Sequence, residues 1–162
     1  MQGNPQIIAT LNQLLTGELS AADQYLYHAH RYLDWGLHAL WERTHHEMEE
    51  ERQHAQVLIE RILFLEGRPD VASRDPLALG SDVESMLKND LALEYQVVGA
   101  LRAAIAQCEQ LGDYQTRNEL LPLLADTEED HAHWLEQQLG LIDQIGLENY
   151  LQSQTGKAPS AS

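Results

Sequence analysis

Two Glu-x-x-His pairs, Glu51/His54 and Glu128/His131, each follow a lone glutamate, Glu18 and Glu94, at nearly the same distance: 33 residues in the first half of the chain and 34 in the second. Residues three apart share one face of an α-helix, so each pair can aim a carboxylate and an imidazole at one point. The repeat requires four helices whose inner faces meet at a common level. Ionised carboxylates buried without partners are very costly, so cations must offset them. Four Glu and two His supply donors for two metal ions. A set dominated by carboxylate oxygen favours iron or manganese over thiolate-seeking metals, and tetrahedral structural zinc is a poor match. Two such ions can pass two electrons to dioxygen or peroxide, so redox chemistry is the natural use of the centre.

The apolar pattern supplies the four helices. Asn4 can cap a first helix with Pro5 at its first position, and Leu11, Leu14, Glu18, Ala22, Tyr25 and Ala29 form its inner stripe to about Leu33. After the break at Asp34-Trp35-Gly36, a second stripe runs through Leu40, Glu47, Glu51, His54, Leu58 and Leu65 until Gly67 and Pro69. Residues 67–80 hold two prolines and no clear period, which predicts one long crossover. Ser81 and Glu84 then read as a capping box. Leu87, Leu91, Glu94, Val98, Leu101 and Ile105 alternate by four and three, as the inner positions of a bundle do, with Glu94 as the only ionisable member. A fourth stripe comprises Leu121, Leu124, Glu128, His131 and Leu135, ending near Gly140 or Gly146, and residues 147–154 predict a short fifth helix. The fold expected is all-α: an up-down four-helix bundle with one long connection, over residues 1–154, followed by a disordered tail at 155–162.

A single Glu-x-x-His pair is weak evidence, since an acidic helix produces it by chance. Glu42/His45 and Asp130/His133 are such decoys here. His45 falls about 120° around the second helix from Glu51, off the face shared by Glu47, Glu51 and His54.

Composition excludes several functions. Ten Lys plus Arg stand against 26 Asp plus Glu, a formal net charge of -16. No basic cluster occurs, so nucleic acid is a poor partner. No run approaches the roughly 20 apolar residues of a membrane span, and the N-terminus lacks a basic segment followed by an apolar one, so the expected location is cytoplasmic. Cys108 is alone, which excludes an internal disulfide.

Beyond these patterns, MQGNPQII, ADQYLYHA, DWGL, IERILFLEG, DVESMLKNDLALE, WLEQQLGLI and GLENYLQSQ resemble the bacterioferritins over nearly the whole chain. The resemblance implies a ferritin-like bundle that assembles into a shell of twenty-four subunits, oxidises Fe(II) at a di-iron centre in each subunit, and stores ferric mineral. It implies Glu18 with His54 and Glu94 with His131 as terminal ligands, Glu51 and Glu128 as bridges, and Tyr25 beside the site. His46 and Glu50 match a pair that binds a further iron on the cavity side in some members. A ferredoxin partner for iron release is also implied. One departure stands out: haem-binding members carry methionine two residues before the histidine of the second helix, and here that residue is Arg52. Met48 lies one turn away, about 6 Å along the axis. A homomer is therefore expected to lack haem, and the chain resembles haem-poor subunits that assemble alone or with a methionine-bearing sister subunit. A second departure is that Tyr114 to His131 spans one residue more than in the family and contains Pro122; a π-bulge would restore the inner face. The competing functions are a structural subunit of a mixed shell, a rubrerythrin-like peroxidase and a DNA-protecting mini-ferritin. The first shares every residue named above. The single cysteine excludes the rubredoxin site that rubrerythrins usually append, and mini-ferritins lack the fifth helix.

Overall fold

The computed structural model describes residues 1–157. Helix α1 (Pro5–Asp34) begins as expected, with the Asn4 side chain accepting from the Gln6 N–H at 2.8 Å and Pro5 in the first turn, where a missing N–H costs nothing. Helix α2 is His38–Phe64. It stops before Gly67: Glu66 takes a left-handed φ of 61°, and the Gly67 N–H closes back on the Ile62 carbonyl at 2.9 Å. A Cβ on Gly67 would stand 2.7 Å from Ile8 Cγ2, so the residue is set by the close approach of α1.

Helix α3 is Val83–Leu111. Its capping box is one residue later than the sequence suggested. Asp82, not Ser81, accepts from the Ser85 N–H, and Ser85 Oγ accepts from the Asp82 N–H. Glu84 is free to pair with Lys88 instead. The fourth bundle helix is built in three parts: α4 (Tyr114–Ala125), a π-helical segment (Asp126–Ala132) and α5 (His133–Ile145). The π segment follows Pro122 by one turn, as the extra residue in this stretch predicts. Gly146, with φ 82°, turns the chain into α6 (Leu147–Ser153).

The crossover from Leu65 to Asp82 has more order than its composition suggests. Side chains of α1 stitch it down: Asn12, Ser20, Gln24 and His28 accept from the N–H groups of Asp70, Asp75, Ala78 and Gly80 at 2.8–3.1 Å. Gln24 and His28 are buried and both donate to Asp90 of α3, which fixes their orientation. The C-terminal end of α6 caps α2, whose Leu37 offers no side-chain cap. The His38 and Ala39 N–H groups donate to the carbonyls of Thr155 and Gln154. The first residue of the expected tail is thus bonded to the bundle; residues 158–162 lie outside the described residues.

The core separates into two apolar ends. One joins Ile7, Leu11, Leu15, Leu58, Ile62, Leu101 and Leu120. The other joins Tyr32, Leu40, Met86, Leu87, Leu135, Ile142 and Tyr150. Between them lies a layer of small or flexible residues, Ala21, Ala22, Tyr25 and Met48, where the buried carboxylates gather. No helix of the described residues is long and apolar enough to cross a membrane.

Candidate metal centre

Each of the two apolar ends fixes the register of the four helices, so the residues at mid-height are held facing one another. Glu18 on α1, Glu51 and His54 on α2, Glu94 on α3 and His131 in the π segment are all 4% exposed or less. They form two groups that share a member. Glu18, Glu51 and His54 bring one ligand atom each within 4.8 Å of one another, and so do Glu51, Glu94 and His131. His54 Nδ1 stands 3.3 Å from Glu51 Oε2 and 3.9 Å from Glu18 Oε2; His131 Nδ1 stands 2.9 Å from Glu51 Oε1 and 3.7 Å from Glu94 Oε1. One oxygen of Glu51 therefore faces each histidine. The rings of His54 and His131 lie parallel at 5.8 Å, one for each half of the site.

Glu128 stands apart. It joins neither group; its carboxylate is ion-paired with Arg102 of α3, and about a third of its side chain is exposed. The reason lies in the π segment. The expected stripe was Leu121, Leu124 and Glu128, but the buried residues are Leu120, Leu123 and Thr127, one position earlier. Leu121 is 39% exposed. The wide π turn absorbs the extra residue before His131, which regains the inner face, and leaves Glu128 on its flank.

Three acidic residues outside the expected set, Glu47, Asp126 and Asp130, also approach, together with Glu50 of the expected outer pair. Glu47, Glu50 and Asp130 group with His131 within the same 4.8 Å span, and Asp126 Oδ2 lies 3.2 Å from His54 Nε2. Glu47 had a sequence signal: it is one turn before Glu51 on the same stripe. Asp130 had none that separated it from an acidic surface, and it was set aside as part of a decoy pair. Arg43 neutralises this outer cluster, pairing with Glu47 and with Asp130. His46 Nε2 lies 3.2 Å from Glu50 Oε1, and Glu50 Oε2 lies 2.9 Å from His131 Nε2, so the His46/Glu50 pair joins a buried histidine to the exposed surface.

Protons balance the buried charges. Burial, then the charge of Glu51, holds the Glu18 carboxyl well above the usual range and pushes Glu94 up to about 7. Burial also pushes on Glu51, but the proton-bearing neighbours Glu18, His131 and His54 outweigh it and hold this carboxyl far below its ordinary value. Burial disfavours charge on His131 and His54, yet the carboxylates around them win, and both are raised. Tyr25 donates to Glu94, and its own hydroxyl is raised by burial and by that charge. Several buried atoms still lack a hydrogen bond of good geometry: both oxygens of Glu18, Oε2 of Glu51 and of Glu94, and Nδ1 of both histidines. All six are oxygen or imidazole nitrogen atoms able to ligate a metal, so the donor set fits two oxygen- and nitrogen-coordinated divalent ions.

A ferritin-like domain model matches residues 8–145. The chain is 57% identical to a bacterial ferritin of Synechocystis sp. and 58% identical to one of Pseudomonas aeruginosa, each over 95% of this chain and 99% of the relative. It is 37% identical to a bacterioferritin of Mycolicibacterium paratuberculosis over 99% of this chain and all of the relative. The chain belongs to the bacterioferritin family. As a bacterioferritin, it departs from the haem-binding pattern in a way the structure makes physical. Arg52 is exposed on α2, while Met48, the alternative soft ligand, is 5% exposed and packs inward against Ala21, Ala22 and Tyr25. No methionine of α2 faces outward, so the residues present do not fit a methionine-ligated haem.

Proposed function

We propose that this chain is an iron-storage protein with ferroxidase activity: it oxidises Fe(II) with dioxygen or peroxide at a di-iron centre inside each subunit and keeps the ferric product in a multisubunit shell, in the cytoplasm. The observation that carries the reading is that one carboxylate, Glu51, is common to two buried Glu/His groups, which is what two neighbouring ions require. Two ferrous ions supply the two electrons that reduce dioxygen to peroxide or peroxide to water.

The chain's own residues set the conditions for that transfer. Glu18/His54 and Glu94/His131 would hold one ion each, Glu51 would span them, and Glu128 would complete the set. Glu18, Glu94 and both histidines are all raised toward the protonated form, so divalent ions and protons compete at the same atoms. Tyr25 fixes the orientation of Glu94, and the apolar ends of the core keep bulk water from the layer between them. Glu47, Glu50 and His46 would conduct iron from His131 toward the shell interior. The assembly is a homomeric shell of about twenty-four subunits, or one mixed with a methionine-bearing sister, as the family resemblance suggests; a ferredoxin would return electrons for iron release.

Stopped-flow addition of Fe(II) to the aerobic metal-free protein tests the reading. A fast phase should saturate at about two irons per chain. Saturation at one iron, or a rate no faster than uncatalysed oxidation, would remove the ferroxidase assignment. Haem gives an independent check. A homomer expressed with haem in excess should show no Soret band from methionine-ligated haem, because the Arg52 side chain offers no soft ligand. Arg52→Met, an exchange of one long helix-compatible side chain for another, should create that band. Stoichiometric haem in the unmodified homomer would show that a different residue ligates it.

A further inference from the structure

We propose that Arg102 is a positioning residue that holds Glu128 out of the metal centre while the centre is metal-free and releases it when ions load. The inference rests on the two-metal reading above. Its starting point is an asymmetry. Glu18, Glu51 and Glu94 lie against His54 or His131 inside the bundle, whereas Glu128, alone of the four glutamates, takes its counter-charge from outside, from a guanidinium on α3 whose side chain is two-thirds exposed. Arg102 lies two turns beyond Glu94 on the same helix, so the cation that claims Glu128 is carried by the helix that also supplies a buried ligand.

The pairing suits a reversible hold. An ion pair open to water on one side is weak, because both groups remain partly hydrated. Two divalent ions in a water-poor layer are a far stronger counter-charge. Glu128 Oε1 is already shielded from solvent although the side chain as a whole is not, so this oxygen need not be stripped of a full hydration shell to change partners. Without Arg102, a fourth carboxylate lacking a counter-charge would turn toward Glu18, Glu51 and Glu94, which already share one buried layer, and like charges repel. The guanidinium removes that repulsion and keeps the ligand within reach. The consequence is competition: each loading event must displace Arg102 from Glu128, so Arg102 lowers metal affinity through Glu128 and through no other residue.

Anaerobic Co(II) titration of the assembled metal-free protein tests this, reading bound metal per chain by equilibrium dialysis and the visible absorption of coordinated Co(II). Arg102→Gln should tighten Co(II) binding by about 3-fold, the scale of one exposed ion pair released, and Arg102→Lys should fall between it and the wild type. In a Glu128→Gln background the Arg102→Gln effect should vanish, since there is no carboxylate left to compete for. Equal tightening in both backgrounds would reduce Arg102 to a distant repulsive charge and overturn the proposal. Weakened or unchanged binding in Arg102→Gln would overturn it as well, the first by showing that Arg102 delivers Glu128 rather than withholds it. Wild-type protein that fails to bind about two Co(II) per chain would instead refute the two-metal reading, and this inference with it.

Discussion

Glu51→Ala should abolish the fast phase of Fe(II) oxidation, lowering the initial rate by more than about 100-fold while the shell still assembles. Loss of a residue that merely supports a ligand already costs roughly 10- to 100-fold in metal affinity or activity. Glu51 does more than support: it is the one side chain facing both histidines, so its loss leaves two half-sites with nothing between them. Folding should survive, because the apolar ends of the core are untouched. Glu18→Ala with Glu128→Ala should give the same kinetic result by removing a terminal ligand and the second bridging carboxylate of the proposed set. Stopped-flow oxidation with size-exclusion chromatography measures both claims. Fast oxidation that persists in Glu51→Ala would mean that iron is oxidised elsewhere, the cluster of Glu47, Glu50 and Asp130 being the nearest candidate.

The second large effect concerns the protein without metal. Its stability should fall as pH rises from about 5 to 8. Glu94 is raised from 4.5 to about 7, so across that interval the folded chain holds a proton that the unfolded chain has given up. Stability then decreases with rising pH. His54 and His131 are also raised, so their contribution is complete below the ordinary histidine value and is lost above it, which adds the same sign. Glu18 follows Glu94. Glu51 is lowered and ionised in both states over this window, so it contributes no slope there. Glu94→Gln should therefore melt higher than the wild type at pH 8 and close to it at pH 5, with a flatter dependence between. Divalent metal should reverse the trend, because ions replace the protons; at a concentration about 100 times the dissociation constant the gain is about 2.7 kcal/mol. Thermal melts of the two proteins with and without Co(II) read all of this. A metal-free Glu94→Gln that melts lower than the wild type at pH 8 would show that the bond from Tyr25 outweighs the charge.

Much of this was legible in the sequence because the carboxylates sit on stripes that are otherwise apolar. Along α3 the expected inner positions are buried or half-buried, and Glu94 is fully enclosed. The same holds for Glu18 among Leu11, Leu14, Ala22 and Tyr25 on α1. Periodicity failed where its assumption of a constant turn failed. Beyond Pro122 the chain makes a π turn, so the stripe Leu121, Leu124, Glu128 is displaced by one, while His131, near the end of the π segment, is buried on the inner face. The crossover was opaque for a different reason: its order comes from N–H groups bonded to side chains of α1, and backbone donors leave no mark in composition. The outer acids Asp126 and Asp130 were hidden in a chain of net charge -16, where an acidic residue near a histidine is the rule.

Ferroxidase activity at this centre requires two ions held on either side of Glu51. Crystals of the metal-free protein soaked anaerobically in Fe(II), with anomalous diffraction recorded on both sides of the iron edge, measure this directly. Two anomalous peaks per chain are expected, about 3.5–4 Å apart, one against Glu18 and His54 and the other against Glu94 and His131, with the Glu51 carboxylate between them and Glu128 turned away from Arg102. A single peak, or peaks only among Glu47, Glu50 and Asp130, would contradict the two-metal centre.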